Sequence, residues 1–247
     1  MNLVIDVGNT LLKLGVFDAG NLKLRKTCLN TDFLDVLVEI SETFPSISHT
    51  LISSVGNFTA LQLSGLQERY QVSVLDYKTK IPFINKYETP HTLGADRIAL
   101  TSAAAMKFSN KNVLVIDVGT CITYDFLSSE NEYMGGGISP GISLRYKALH
   151  TFTEKLPLLE ANNLNILGGN NTINSIHAGV VNGVLYEIDG FIDAYKKKYQ
   201  NLTVILTGGD SHFLRDSLKN DIFANSNFLL EGLNHILEYN KHRCLDK

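Results

Sequence analysis

The chain has 247 residues, 44% of them apolar and 19% charged, which is enough apolar material for one large or two smaller cores and too much for extended disorder. A formal net charge of −3 supplies no positive field for nucleic-acid phosphates, and no run of Lys and Arg is interleaved with aromatics. Three widely spaced cysteines, Cys28, Cys121 and Cys244, lack the paired C-x-x-C arrangement of zinc or redox sites and read as reduced, structural thiols. The apolar pattern starts almost at once, without the basic start and cleavage site of a signal peptide, and no run is long enough to span a bilayer. The cytoplasm is the expected compartment, with neither membrane nor nucleic acid as a partner.

In chain order, residues 3–5 form an apolar run leading into Asp6, Gly8-Asn9 is a turn dipeptide, and residues 11–17 resume the apolar pattern around Lys13. This predicts a β-hairpin. Helical spacing follows over residues 32–44, through Phe33, Leu34, Leu37, Val38 and Ile40, with Thr31 placed to cap the helix. A strand at 50–55, a helix at 60–70 and a strand at 72–75 continue an alternation that predicts an α/β fold. Residues 95–108, rich in Ala, Leu and Ile, predict a buried helix joining two halves. Residues 113–118, the turn Gly119-Thr120 and residues 121–127 then repeat the first hairpin, with Asp117 in the place of Asp6 nearly half the chain away. A duplication into domains 1–110 and 111–247 is the economical explanation.

Further along, GGGISPG at 135–141 predicts a tight loop before a helix that starts near Ile142. Residues 173–199 carry Ile176, Val180, Val184, Ile188, Phe191 and Tyr195 at helical spacing, with Gly179, Gly183 and Gly190 placed for close packing and Lys196 to Lys198 at a solvated end. A strand at 203–206, a TGGD turn at 207–210 and a helix at 228–239 complete the pattern. No low-complexity linker separates the halves, so the domains are expected to share a cleft.

A glycine that ends a strand removes the Cβ that would block an anion's approach to backbone N–H groups, and a neighbouring threonine hydroxyl adds a donor. Phosphate is the natural ligand, and an aspartate just before the turn can hold Mg²⁺ on the phosphate chain. One such turn is equally a tight hairpin; two in pseudo-symmetric positions favour phosphate. Asp96 falls at a helix start, where the dipole favours its ionised form and no further role is required. Arg97 suits a bidentate carboxylate contact or a structural ion pair, Tyr87 suits half-buried packing, and Thr172 suits a cap for the helix from Ile173. Lys13 lies near the first turn or on an exposed strand face. His150 and His177 lack ligand-spaced partners and read as ordinary core or surface histidines.

The paired turns resemble the phosphate loops of the superfamily that includes actin, hexokinase, acetate kinase and the heat-shock chaperone ATPase domain. That resemblance implies duplicated ribonuclease H-like (actin-like ATPase) domains with an interdomain nucleotide cleft. DVGNTLLK at 6–13, HTLGADR at 91–97, DVGTCITYD at 117–125 and GGGISPG at 135–141 occur in the order of a type III pantothenate kinase, which the chain resembles over its first three-fifths. The TGGD turn resembles the superfamily's adenosine-side loop.

The family resemblance implies ATP-dependent phosphorylation of pantothenate to 4'-phosphopantothenate, the first step of coenzyme A biosynthesis, with Asp96 as general base. Asp6, Val7, Gly8, Asn9, Thr10, Leu11, Leu12, Lys13 and Thr120 would contact ATP, Asp6 would also face Mg²⁺, and Asp117 would hold a monovalent cation, K⁺ or NH₄⁺. Tyr87, Gly94, Ala95, Asp96, Arg97 and Thr172 would contact pantothenate, and a homodimer is implied whose partner helps close that pocket. The chain departs from the family pattern at Cys121, where alanine is more usual, and in the asparagine-rich residues 152–171. Two readings compete: a kinase for another small hydroxyl or carboxylate substrate, and an idle binding or regulatory module, since some relatives were first described as accessory factors in transcription. Turnover assays separate the three.

Overall fold

The first hairpin forms as its apolar spacing predicts. Strands β1 (Asn2–Val7) and β2 (Leu11–Asp18) pair antiparallel, with Asp6 opposite Lys13 and Val7 opposite Leu12. The computed structural model describes residues 1–8, 11–54, 58–162 and 166–241, so the expected phosphate contacts Asn9 and Thr10, and also Val55 and Cys244, lie outside the described residues. By its internal contacts the chain divides into two units, Met1–Ser109 with Asn227–Lys247, and Asn110–Ser226.

In the first unit β2 turns at Ala19 and Gly20, both at positive φ, into β3 (Asn21–Leu29), an edge strand whose side chains are mostly exposed or half-buried. Helix α1 (Phe33–Thr43) buries Phe33, Val36, Leu37 and Ile40. A single 3-10 turn, Asn30–Asp32, precedes it, and Thr31 bonds to the Asp32 carboxylate instead of capping the helix as expected. β4 (His49–Ile52) runs parallel to β1, α2 (Ala60–Gln67) follows, and β5 (Gln71–Val74) runs parallel to β4. A reciprocal box holds the start of α2: the Thr59 hydroxyl accepts from Gln62 N, and the Gln62 side chain accepts from Thr59 N. The two-residue β6 (Ile84–Asn85) leads to α3 (Ala95–Lys107), whose residues 97–104 are all buried.

The second unit opens with β7 (Val113–Val118) and β8 (Cys121–Leu127), at the boundaries the repeat predicts, followed by β9 (Glu132–Pro140) and α4 (Ile142–Thr151). The expected loop at 135–141 is therefore mostly strand. Its glycines are steric necessities: a Cβ on Gly136 would lie 1.6 Å from the Tyr124 carbonyl oxygen across the ladder, and Gly135 has φ +83° beside a register shift in β8. The 27-residue α5 (Thr172–Lys198) begins at a cap supplied by Asn171, whose side chain accepts from Asn174 N at 2.9 Å, so Thr172 is its first residue and not its cap. Among the described residues nothing lies within 4 Å of a Cβ placed on Gly179 or Gly190, and the nearest atom to one on Gly183 is Arg145 Nη1 at 3.8 Å, so these glycines do not mediate close packing among the described residues of the unit. β10 (Thr203–Thr207), the short α6 (Ser211–Leu214) and β11 (Phe223–Ala224) complete it.

Helix α7 (Phe228–Lys241) returns to the first unit, whereas the sequence boundary places it with the second half. It packs on α3 and on β1, β2 and β4, burying Phe228, Leu230, Leu233 and Ile236. Only glycine fits at the crossing, because a Cβ on Gly232 would lie 1.9 Å from the Ala99 carbonyl oxygen. Asn2 ties the helix to β1 by donating to Asn234 Oδ1 at 2.7 Å and Glu238 Oε1 at 2.5 Å.

The duplication is visible in the sheets. The first unit orders its strands β3-β2-β1-β4-β5, and the second orders its own β9-β8-β7-β10-β11, each with three antiparallel strands followed by two added in parallel. The acidic turn leaves the central strand in both.

Candidate active site

The first turn sits where β1 ends against β4, because parallel pairing of these strands carries residue 53 up to the carboxylate of Asp6. Asp6 is buried, and burial pushes its carboxyl above the ordinary carboxylate range, with the nearby charge of Asp96 adding to the shift. Opposing it are Lys13, whose Nζ lies 3.5 Å from Asp6 Oδ2, and Ser53, whose hydroxyl donates to Asp6 Oδ1 at 3.2 Å. The same hydroxyl accepts from Val7 N at 2.9 Å. With one proton to give and that lone pair engaged, Ser53 directs its proton at Asp6. Lys13 thus lies beside the carboxylate and is not simply a solvated strand residue. Gly8 N closes the turn by donating to Leu11 O at 3.2 Å; Leu12 is core and Leu11 is exposed.

The start of α3 gathers the expected substrate residues. Asp96 Oδ1 accepts from Arg97 N at 2.9 Å, folding its carboxylate back over the helix start. That placement requires glycine two residues earlier, since a Cβ on Gly94 would lie 2.3 Å from Asp96 Oδ1. Asp96 is exposed, Ala95 is half-buried, and the Arg97 side chain is buried with its guanidinium carbon 5.6 Å from the centre of the Tyr87 ring. Tyr87 is half-buried, and its N–H donates to Asn85 Oδ1. Tyr87, Gly94, Ala95, Asp96 and Arg97 therefore form one cluster, with Asp96 in electrostatic reach of Asp6.

In the second unit Asp117 is half-buried at the end of β7, opposite Thr123 on β8 and Thr207 on β10. Gly208, at φ +98°, lets the TGGD turn press against it: a Cβ there would lie 2.4 Å from Asp117 Oδ1. Asp210 N donates to Val118 O at 3.0 Å, and burial raises the Asp210 carboxyl. Thr120 is exposed, and its carbonyl accepts from Gly141 N at 3.0 Å. Thr172 lines a groove of about 950 Å³ between α4 and α5, with Arg145, Leu149, Ser175 and Ile176 also in its lining.

Among the described residues no group of three or more His, Cys, Asp or Glu could cage a metal. That suits Mg²⁺ held by one carboxylate together with nucleotide phosphates and water. His177 is buried with Nδ1 2.8 Å from the Tyr146 hydroxyl, and His150 bonds to Leu156 O, as ordinary structural histidines do. Cys28 is buried, Cys121 is exposed, and both are free. Sequence reasoning missed Ser53; its signal was a small polar residue directly after the strand that pairs parallel with β1.

A ribonuclease H-like order of three antiparallel strands followed by two parallel ones, present in both sheets and each time with an acidic glycine turn after the strand where the two parts meet, defines the class of actin-like ATPases and sugar kinases. Solved structures agree on this fold. One is a Campylobacter jejuni protein assigned to the Baf family of transcriptional activators, with TM-score 0.64, 22% identity, and 97% of this chain and 99% of that chain covered. Another is a glucokinase from an Antarctic psychrotroph, with TM-score 0.53, 13% identity, and 96% and 98% covered. The sequence matches the family model for type III pantothenate kinase over residues 2–194. Proteins named type III pantothenate kinase from Christiangramia forsetii and Flavobacterium johnsoniae are 48% and 46% identical to it, over 98% and 97% of this chain and 99% and 98% of theirs. The chain belongs to the type III pantothenate kinase family.

Proposed function

We propose that this chain transfers the γ-phosphoryl group of ATP to the hydroxyl of pantothenate, the opening reaction of coenzyme A synthesis. Family membership over nearly the whole chain supports the reaction. The observation that carries the site is the grouping in the first unit of a buried carboxylate, Asp6, and an exposed one, Asp96, whose charge helps to raise the Asp6 carboxyl.

Asp96 accepts the proton of the attacking hydroxyl, held in place by its bond to Arg97 N. Arg97, with Tyr87 against its guanidinium, takes the carboxylate of pantothenate, and the backbone at Gly94 and Ala95 lines the same pocket. The 6–13 turn and Thr120 contact the phosphates, with Asn9 and Thr10 assigned by family likeness alone. Asp6 would face Mg²⁺, which neutralises phosphate charge when bound, and Lys13 moderates the carboxylate beside it. Asp117 would hold K⁺ or NH₄⁺: across the hairpin from Asp6 stands Lys13, whereas across from Asp117 stands the uncharged Thr123. Much of the acceleration comes from positioning and charge neutralisation.

A homodimer follows from the same family, in which Thr172 and its groove serve the pantothenate pocket of a second copy. The exposed Ile173 and Tyr186 and the open faces of Gly179 and Gly190 on α5 support this helix as the contact. Among the described residues no helix is long and apolar enough to cross a membrane, and the cytoplasm is the proposed compartment. Incubating the purified protein with ATP, Mg²⁺, K⁺ and pantothenate is expected to yield phosphopantothenate by mass spectrometry. No product under any cation condition would defeat the assignment.

A further inference from the structure

Beside the second turn lies a polar network with no part in the roles above. Glu187, half-buried on α5, accepts from the Tyr124 hydroxyl on β8 at 2.8 Å, from the Ser139 hydroxyl on β9 at 2.5 Å, and from Arg145 Nη2 on α4. Arg145 also donates from Nε to Pro140 O at 2.9 Å and from Nη2 to Ser139 Oγ at 3.3 Å. One residue on, Gly141 N donates to Thr120 O at 3.0 Å. The segment lies flush on the turn, since a Cβ on Gly141 would be 2.1 Å from Gly119 O and 2.5 Å from Thr120 O.

We infer that Arg145 and Glu187, with Tyr124 and Ser139, are positioning residues that fix the Gly119-Thr120 turn through the backbone of Pro140 and Gly141. The inference rests on the reading of Thr120 as an ATP contact.

Helix α5 does not need this network to dock, because Ile176, Val184 and Ile188 already pack in the core and Phe191 stacks on the Tyr124 ring at 3.9 Å. What the network specifies is the position of one carbonyl. Three donors keep Glu187 charged, their pull lowering its carboxyl below the ordinary range against burial, while burial and Glu187 push the Tyr124 phenol up. The planar guanidinium reaches the Pro140 carbonyl and Glu187 together, a geometry that a lysine ammonium cannot reproduce. Because Arg145 also lines the groove containing Thr172, one side chain touches both features of this unit.

The test compares Arg145→Lys, Glu187→Gln and the apolar double variant Arg145→Met/Glu187→Met. A salt bridge that serves stability alone is commonly replaced by packed apolar side chains at little cost, so the double variant should keep its melting temperature and nucleotide affinity if that is its only role. Positioning instead predicts that all three variants raise the KM for ATP about fivefold to tenfold, while Glu187→Gln, whose side chain does not line the Thr172 groove, keeps the KM for pantothenate within about twofold. A KM for ATP within twofold of wild type in Arg145→Lys and Glu187→Gln overturns the inference, whatever the melting temperatures. Calorimetric affinity for a non-hydrolysable ATP analogue, measured without acceptor, applies the same criterion should wild type prove inactive on pantothenate. That arm separates failure of this inference from failure of the proposed reaction.

Discussion

Replacing Ser53 with alanine should damage the first turn without touching any expected ligand. Ser53 is only 4% exposed, so water has little room to replace its hydroxyl. The substitution removes a bond to a carboxylate at 3.2 Å and deprives Val7 N of its acceptor at 2.9 Å. An unsatisfied buried donor together with a lost bond to a charged group amounts to about 3 kcal/mol. For a chain of this size that lowers the melting temperature by roughly 6–12 °C. The Asp6 carboxyl should move further above its ordinary range, because the Ser53 bond is one of the influences lowering it. A carboxylate that is harder to ionise and free to rotate holds Mg²⁺ less well, so kcat/KM for MgATP should fall about tenfold and the Mg²⁺ needed for half-maximal rate should rise. Thermal melts and turnover across a Mg²⁺ series measure both effects. A variant that melts with wild type and shows an unchanged Mg²⁺ dependence refutes the claim that Ser53 orients Asp6.

Asp96→Asn should lower kcat by about two orders of magnitude or more while the fold survives, and near-normal turnover would remove Asp96 from the base role. Asp6→Asn should abolish turnover yet melt higher than wild type at neutral pH without nucleotide. Because burial raises the folded carboxyl, ionising Asp6 costs no stability below its unfolded value of 3.8 and progressively more as pH rises through the folded value. The advantage of Asp6→Asn should therefore shrink on acidification, and a wild-type protein that melts higher throughout contradicts the sign. Gly232→Ala places a methyl 1.9 Å from Ala99 O and should cost about 2–3 kcal/mol, with faster amide exchange in α7 and α3; an unchanged melt would mean that their packing tolerates the methyl. Exchanging K⁺ for Na⁺ should depress turnover, and indifference would count against a monovalent site at Asp117.

Much of this protein could be read from local pattern. Residues 113–118 and 121–127 form strands at the expected ends, and 95–107 form the expected buried helix, because side-chain periodicity reports which face of an element leaves water. Family likeness, and not side-chain periodicity, grouped Tyr87, Gly94, Asp96 and Arg97, and the eleven residues from Tyr87 to Arg97 keep them near one another. Other features needed partners distant in sequence. The run at 135–140 reads as a loop until the Tyr124 carbonyl, lying where a side chain would stand, explains Gly136 within a strand. Residues 228–241 read as an apolar helix in either half; Ala99 and the faces of β1 and β2 decide which one accepts it. Ser53 acquires its role only when β4 pairs in parallel beside β1. The sequence by itself determined most of the longer helices and strands and the two acidic glycine motifs, because those follow from patterns among near neighbours along the chain. Only the tertiary structure decided where the last helix docks, why a glycine run can be a strand, and what holds each acidic turn in place, because shape complementarity and hydrogen bonding between distant segments exist only once both are folded.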